Sequence, residues 1–265
     1  MRAIICSVIA TLMLVSPSAI SGQGPPRTLV AVWAHADDEA PVAPVLARYA
    51  RDGVQVHMII VTDGAQGAAN TSVPRGPEIA KLRAEEARCS AQALGVQPPI
   101  LLGFPDGAIG AYSGDPTLSF RLTQRVHEEL QRLRPDVLIT WGPDGGFGHP
   151  DHRIISSVVT QLVRAGAPGV PQRLFYASIP AEGFQAMNPG RGAPPFVVPQ
   201  ASLFTMRVRF TDSDLEAAHR SMACHKTQYP NETVERVIGA MRGIWKGELP
   251  FTALVPQSPA DDLFR

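Results

Sequence analysis

The stretch TLVAVWAHADDE, residues 28–39, joins an apolar run to a cluster of one histidine and three acidic residues. The apolar run Thr28–Ala34 predicts a buried β-strand, and the polar cluster begins where this strand ends. A second stretch has the same plan, because the apolar run Val137–Trp141 is followed shortly by GHPDH, residues 148–152. The chain therefore places histidine and aspartate side chains after two predicted buried strands.

The rest of the chain alternates apolar runs with amphipathic ones, which indicates an α/β protein. Continuous Val, Ile and Leu runs are typical of parallel strands that helices cover on both faces. We predict a three-layer α/β sandwich with a mostly parallel sheet over residues 28–245, and a C-terminal tail at 246–265. The predicted strands are Thr28–Ala34, Val54–Thr62, Ile100–Gly103, Val137–Trp141, Arg173–Ser178 and Arg207–Phe210, and the predicted helices are Val42–Arg51, Pro77–Leu94, Ser119–Leu133, His152–Arg164, Ser213–Lys226 and Asn231–Ile244.

Polar residues follow four of the predicted strands, and open parallel sheets bind ligands at the carboxyl ends of their strands. If these strands are parallel, all four polar groups lie at one edge of the sheet. The groups are His35/Asp37/Asp38, Asp63, Asp106 and His149/Asp151/His152. This edge is the candidate functional site.

Two pairs in these groups have the spacing of metal ligands. His35 and Asp38 are three residues apart, as are His149 and His152, and this spacing places side chains on one face of a turn or helix start. Imidazole and carboxylate ligands with an open coordination position suit catalytic Zn²⁺, with Fe²⁺ or another divalent ion as alternatives. If the first strand continued past its expected end, Asp37 rather than Asp38 would share the side of His35. Either cluster alone also fits an ordinary helix cap.

The two motifs resemble those of the PIG-L/LmbE-like metal-dependent N-acetylglucosaminyl deacetylases. The resemblance spans about residues 28–228. It also includes Thr62-Asp63-Gly64, Arg83-Ala84-Glu85-Glu86 to Leu94-Gly95-Val96, Gly103-Phe104-Pro105-Asp106-Gly107 and His225-Lys226-Thr227-Gln228. It implies a Rossmann-like fold and hydrolysis of an acetyl or other acyl group from the amide nitrogen of an amino sugar or related conjugate.

The resemblance also implies roles for single residues. His35, Asp38 and His152 correspond to the metal ligands, Asp37 to the general base, and His149 to the group that assists as acid or stabilises the oxyanion. The proton for the leaving amine comes from Asp37 or from His149. Two further residues, Arg83 and Asp106, correspond to contacts with sugar hydroxyls. Arg83 alternatively pairs with Glu86 on its own helix, and Asp106 is also a natural turn residue.

The sequence departs from the family pattern at three positions. Ala36 replaces the usual proline, and Ala65 stands where glutamate is frequent, so a supporting carboxylate is missing. Phe147 lies two residues before His149, where some members carry tyrosine. The hydrogen bond that the tyrosine hydroxyl would donate to the oxyanion is therefore unavailable here. Its role is either absent or supplied by another group.

The N-terminus has the three regions of an export signal: Arg2, the apolar segment Ala3–Val15 and the small-residue stretch Ser16–Gly22. We therefore predict a signal peptide at residues 1–22 and a periplasmic or extracellular protein. The apolar segment is too short for a permanent membrane span. In an exported protein, Cys89 and Cys224 form one disulfide or remain two buried thiols.

Composition and motifs exclude several other classes. The 265 residues carry no net charge and 45% are apolar, which favours one globular domain and disfavours nucleic acid as a partner. No Gly-x-Gly-x-x-Gly follows the first strand, and the chain contains no Gly-x-Ser-x-Gly. The remaining alternative is a non-catalytic carbohydrate-binding protein on the same fold, but binding alone does not need a base such as Asp37.

Overall fold

The computed structural model describes residues 26–109, 115, 117–187, 197–255 and 258–265. The predicted signal peptide at 1–22 lies outside these ranges. In the described part of the chain, seven strands form one sheet in the order β3-β2-β1-β4-β5-β7-β6. Their bounds are β1 Thr28–Trp33, β2 Gln55–Thr62, β3 Ile100–Phe104, β4 Val137–Trp141, β5 Leu174–Ala177, β6 Met206–Arg209 and β7 Glu248–Ala253.

Strands β1 to β5 pair in parallel, whereas β7 runs antiparallel to both β5 and β6. Helices connect the parallel strands and cover the sheet. Their bounds are α1 Ala43–Arg51, α2 Pro77–Leu94, α3 Leu118–Leu133, α4 Gly145–Gly148, α5 Pro150–Arg164, α6 Ala181–Met187, α7 Asp212–Met222 and α8 Asn231–Ala240. A 3₁₀ turn at Ala40–Val42 leads into α1, and a π-helical turn at Met241–Trp245 follows α8.

The central strand β1 shows why the sheet has helices on both faces. Alternate side chains of a strand point to opposite faces. Leu29, Ala31 and Trp33 pack into the apolar cluster that includes buried residues of α1, α7 and α8. Val30 and Val32 pack on the opposite side with buried residues of α3 and α5. The predicted three-layer, mostly parallel α/β sandwich is therefore confirmed.

The C-terminal part differs from the prediction in two places. The segment 246–265 is not simply a tail, because β7 lies between β5 and β6 in the sheet. Its Pro250 pairs only with Arg207 of β6, since pairing with β5 begins at Phe251. The predicted helix Ser213–Lys226 is also too long, because α7 ends at Met222.

The segment beyond α7 is tied back to α2 by a disulfide between Cys224 and Cys89, whose Cα atoms are 5.8 Å apart. The bond joins residues 135 positions apart in the sequence. A link over so long a loop restricts the unfolded chain and contributes about 2–4 kcal/mol to stability. Of the two states that the sequence left open for these cysteines, the structure shows the disulfide.

Candidate metal centre

The topology brings the two polar motifs together. Strands β1 and β4 are parallel neighbours, so their carboxyl ends meet at one edge of the sheet. His35 lies two residues after the end of β1, while His149 and His152 lie at the start of α5, which follows β4 in the chain. Both His35 and His152 are buried.

Three donor atoms converge at this edge. His152 Nε2 lies 3.0 Å from Asp38 Oδ1 and 3.1 Å from His35 Nδ1, and Asp38 Oδ1 lies 3.7 Å from His35 Nδ1. A tetrahedral ion with bonds of about 2.0–2.1 Å separates its ligand atoms by about 3.3 Å. The triangle formed by His35, Asp38 and His152 therefore has the size that a small divalent metal requires.

In each of the three groups, the second nitrogen or oxygen atom already has a hydrogen-bond partner. Nε2 of His35 lies 3.1 Å from Asp106 Oδ1 and 3.3 Å from Asp151 Oδ2, so it carries the proton of that ring. Nδ1 of His152 donates to the carbonyl of Gly145 at 3.1 Å. Asp38 Oδ2 accepts hydrogen bonds from the backbone amides of Ala34 and His35, both at 2.9 Å. These partners orient the free lone pairs of all three groups toward one point, as in protein metal sites.

Three acceptors this close repel one another, and a proton or a metal cation between them relieves that repulsion. The pKa values of His35 and Asp38 also reflect the charges within this cluster. Burial lowers the pKa of His35, but its hydrogen bonds with Asp106, Asp151 and Asp38 raise that pKa to about 12. Although burial raises the pKa of Asp38, its charge interactions and hydrogen bonds with His152 and His35 together hold the pKa well below its usual range. The cluster attracts a cation, and its donor set suits a divalent metal.

A wall of aromatic residues shapes one side of the cluster. The indole of Trp141 stacks on the ring of His152, with a centroid distance of 4.8 Å and an interplanar angle of 2°. Phe147 meets His152 edge-on at 5.0 Å and is 46% exposed. Trp141 therefore fixes the plane of a donor ring, while Phe147 presents an apolar face at the rim.

His149 is placed differently from the other two histidines. Its Nδ1 accepts a hydrogen bond from the backbone amide of Asp151 at 3.2 Å, so the side chain caps α5. Burial and the nearby imidazoles of His152 and His35 lower the pKa of His149. One nitrogen from each of His35, His149 and His152 also lies within 4.8 Å of the other two, which defines a second candidate ligand set.

Asp37 lies beside the donor triangle and is held through both carboxylate oxygens. Its Oδ1 accepts from Arg83 Nη2 at 2.7 Å, and its Oδ2 accepts from the Tyr229 hydroxyl at 2.8 Å. The side chain keeps 16% of its surface exposed, which leaves access for a water molecule. Burial raises the pKa of Asp37, although the charge of Arg83 opposes this.

The two predicted substrate contacts have partners within the cluster. Arg83 bonds to Asp37 and to the carbonyl of Ala36 rather than forming the alternative pair with Glu86. Asp106 bonds to His35, and its second oxygen accepts from the backbone amide of Gln66 at 2.9 Å. Contact of either side chain with a sugar stays a prediction.

Three residues contribute to the site without a role predicted from the sequence, although two of them, Asp151 and His225, lie within the motifs. Asp151 faces His35 and also accepts from the backbone amide of Gly107 at 3.0 Å. Buried His225 pairs with Glu39 at 2.7 Å. Burial lowers the pKa of His225, but the charge and hydrogen bond of Glu39, together with the nearby charges of Asp37 and Glu86, raise it. In the sequence His225 has the pattern of a lone histidine on a helix, but it lies in the turn after α7. The third residue is Tyr229, which donates to Asp37 and which no motif or spacing in the sequence indicates as a site residue.

Fold and donor cluster together define a Rossmann-like α/β protein with a metal-type site at the carboxyl edge of its sheet. Residues 30–163, which form half of the chain, match the PIG-L family, described as GlcNAc-PI de-N-acetylases. The chain belongs to this family.

Relatives with known names agree with this membership. The chain is 29% identical over 238 residues to the 1D-myo-inositol 2-acetamido-2-deoxy-α-D-glucopyranoside deacetylase of Corynebacterium urealyticum, covering 77% of this chain and 71% of the relative. Three similarly named relatives are 33–35% identical, and the matches span 48–59% of their length.

Solved structures share the fold at lower identity. The N,N'-diacetylchitobiose deacetylase of Pyrococcus horikoshii has a TM-score of 0.60 and 18% identity, with 86% of this chain and 84% of that one covered. The 4-carboxy-2-hydroxymuconate hydratase of Pseudomonas putida KT2440 has a TM-score of 0.62 and 13% identity, with 89% and 99% covered. Because a hydratase shares the fold, the activity must be argued from the site.

Within the described residues, no helix is both long and apolar enough to cross a membrane.

Proposed function

We propose that this protein is a metal-dependent amide hydrolase that removes an acetyl or other acyl group from the nitrogen of an amino sugar or a related conjugate. The convergence of three oriented lone pairs beside a partly exposed aspartate carries this proposal. A ligand triangle alone fits a binding protein, but a carboxylate held next to it supplies the base that hydrolysis needs. The names of the relatives support the acetylated amino sugar as the substrate class.

We further propose that His35, Asp38 and His152 hold Zn²⁺, with Fe²⁺ or another divalent ion as alternatives. Two imidazoles and one carboxylate are a common ligand set for catalytic zinc. A bound divalent metal would polarise the amide carbonyl and lower the pKa of a bound water to about 7.

The protein's own residues perform the proton transfers. Asp37 accepts the proton of the attacking water at a carboxylate oxygen, and its raised pKa makes it a stronger base. His149 has Nδ1 engaged with the backbone, which leaves Nε2 to donate to the developing oxyanion. Because the lowered pKa of His149 favours the neutral imidazole, we assign the return of the proton to the leaving amine to Asp37.

A panel of N-acetylated compounds tests the proposal. Free N-acetylglucosamine, a glycoside of N-acetylglucosamine and N-acetyllysine would be incubated with zinc-loaded and chelator-treated protein, and released primary amine would be measured. We expect amine release from the two sugars with the zinc-loaded protein only. Sugar binding without any amine release would favour the carbohydrate-binding alternative and contradict the hydrolase.

We also propose that the protein is exported. The three-part pattern of residues 1–22 supports this, and so does the Cys89–Cys224 disulfide, because such bonds persist in oxidising compartments. We expect the mature chain to begin near Gly22–Gly24 when the protein is recovered from its native host. N-terminal sequencing that finds an intact Met1 would contradict this prediction.

A further inference from the structure

The segment Cys224–Tyr229, which we call the clamp segment, supports Asp37 from two directions. The Tyr229 hydroxyl donates to the Asp37 carboxylate at 2.8 Å. His225 Nε2 lies 2.7 Å from Glu39 Oε1, and Glu39 Oε2 accepts the backbone amide of Asp37 at 3.1 Å. One short segment therefore acts on both the side chain and the backbone of this aspartate.

The clamp segment is itself fixed to the body of the protein at three points. Cys224 is bonded to Cys89 of α2. The amide and the hydroxyl of Thr227 donate to the two carboxylate oxygens of Glu86, at 2.7 and 2.8 Å. The side-chain amide of Gln228 donates to the carbonyl of Gly67 at 2.6 Å. These attachments make the segment a firm support, since a group positions another only if its own place is fixed.

Asp37 needs such support because its backbone is strained. It has φ of 99°, a conformation that residues with a Cβ seldom adopt and that persists only when surrounding contacts hold it. Arg83 holds one carboxylate oxygen from α2, and Tyr229 holds the other from the clamp segment. With the Arg83 contact alone, the carboxylate would be free to rotate about a single anchor.

Building on the proposed function, we propose that Tyr229 is a positioning residue that fixes the carboxylate of Asp37 in the orientation required to take a proton from the attacking water. Both side chains already lie at hydrogen-bond distance in the structure. Tyr229 acts through Asp37 and not on the substrate. Its removal therefore slows the proton transfer but leaves substrate binding and metal binding intact.

The variant Tyr229→Phe removes only the hydroxyl and keeps the ring that packs against the core and against His225. We expect kcat, measured with an N-acetylated sugar from the panel that releases amine, to fall by about tenfold to a hundredfold, the cost of a misplaced reacting group. KM and metal content should stay at wild-type values. Tyr49→Phe is a matched control, because Tyr49 also donates to an aspartate, Asp262 at 3.1 Å, but lies outside the candidate site. Its kcat should be unchanged.

A double-mutant cycle separates positioning from a general structural role. In an Asp37→Asn background the base is gone, so Tyr229→Phe should cause no further loss of the residual activity, measured at high enzyme concentration. An equal loss in both backgrounds would overturn the proposal, because Tyr229 would then act on the substrate or on the fold. If the wild type is active and the Tyr229→Phe variant is equally active, the positioning role of Tyr229 is overturned but the proposed function is not. A wild type that releases no amine from any substrate would overturn the proposed function and this proposal with it.

Discussion

The Asp37→Asn variant is expected to keep its metal and to lose amide hydrolysis by about 10²–10⁴-fold, the usual contribution of a positioned base. Asparagine has almost the same shape and size as aspartate, and its side-chain amide nitrogen still lies within reach of its neighbours. It cannot accept a proton at neutral pH, however. Since Asp37 is not part of the donor triangle, the substitution should remove the proposed base and leave the proposed metal ligands in place.

The neighbouring variant Asp38→Asn should give the opposite pattern of metal binding. Asp38 Oδ1 lies 3.0 Å from His152 Nε2 at the centre of the donor cluster, and this group is negatively charged because its pKa is held low. A neutral amide oxygen attracts a divalent ion far less strongly than a carboxylate. We therefore expect Asp38→Asn protein to be purified with little metal, and with an activity that recovers only partly when metal is added in excess.

Elemental analysis and amine release, measured on both variants together, test this pair of predictions. Asp52→Asn is a suitable control because Asp52 is exposed, lies at the end of α1 and pairs with Arg48 and Arg51. It should match the wild type in both measurements. Loss of metal from Asp37→Asn with retention in Asp38→Asn would reverse the roles of base and ligand. Full activity in both variants would remove the proposed mechanism.

The amino-acid sequence predicts the parts of the site that lie close to strand ends. His35, Asp37 and Asp38 follow β1 within a few residues, and His149 and His152 follow β4. Because parallel strands place their carboxyl ends together, this pattern implies a common site. It does not decide which aspartate faces the histidines. The positive φ of Asp37 settles this, since it takes the backbone out of the extended strand geometry, in which Asp37 would share the side of His35.

Contacts over long sequence distances could not be predicted. Tyr229 is separated from Asp37 by 192 positions, and His225 from Glu39 by 186. The spacing of residues in the sequence does not indicate such pairs, because they depend on where the turn after α7 meets the edge of the sheet. The strand β7 was missed for a different reason. Its proline disfavours a strand, and only the register shows that Pro250 lies where β7 pairs with β6 alone.

The last prediction distinguishes the two candidate ligand sets that contain both His35 and His152. His35 and His152 belong to both, and the third ligand is either Asp38 or His149. Asp38 is the stronger choice because it is charged, lies 3.0 Å from His152 Nε2 and 3.7 Å from His35 Nδ1, and has its second oxygen fixed by two backbone amides. His149 is half-buried and serves as the cap of α5.

We therefore expect His152→Ala protein to lose both metal and activity, since it lacks a ligand in either set. His149→Asn should keep the metal and lose activity by about 10²–10⁴-fold, the value of a group that assists proton transfer. Asparagine is chosen because it is a good helix cap and preserves the start of α5, so the substitution removes only the Nε2 group. His219→Ala, at a surface histidine that pairs with Glu235, is the control and should behave as wild type.

Metal content decides between the sets, and activity then reports the role of His149. A His149→Asn protein without metal would assign His149 as the third ligand, and Asp38 would then have to act in another way. If His149→Asn kept both metal and full activity, His149 would be only a helix cap, and stabilisation of the oxyanion would have to come from elsewhere. The expected combination, metal retained and turnover lost, requires that one histidine of the motif binds the ion while the other acts on the substrate. Their hydrogen bonds support that proposed division, because His152 directs Nε2 toward Asp38 and His35, whereas His149 uses Nδ1 to cap α5 and has Nε2 for the proposed contact with substrate.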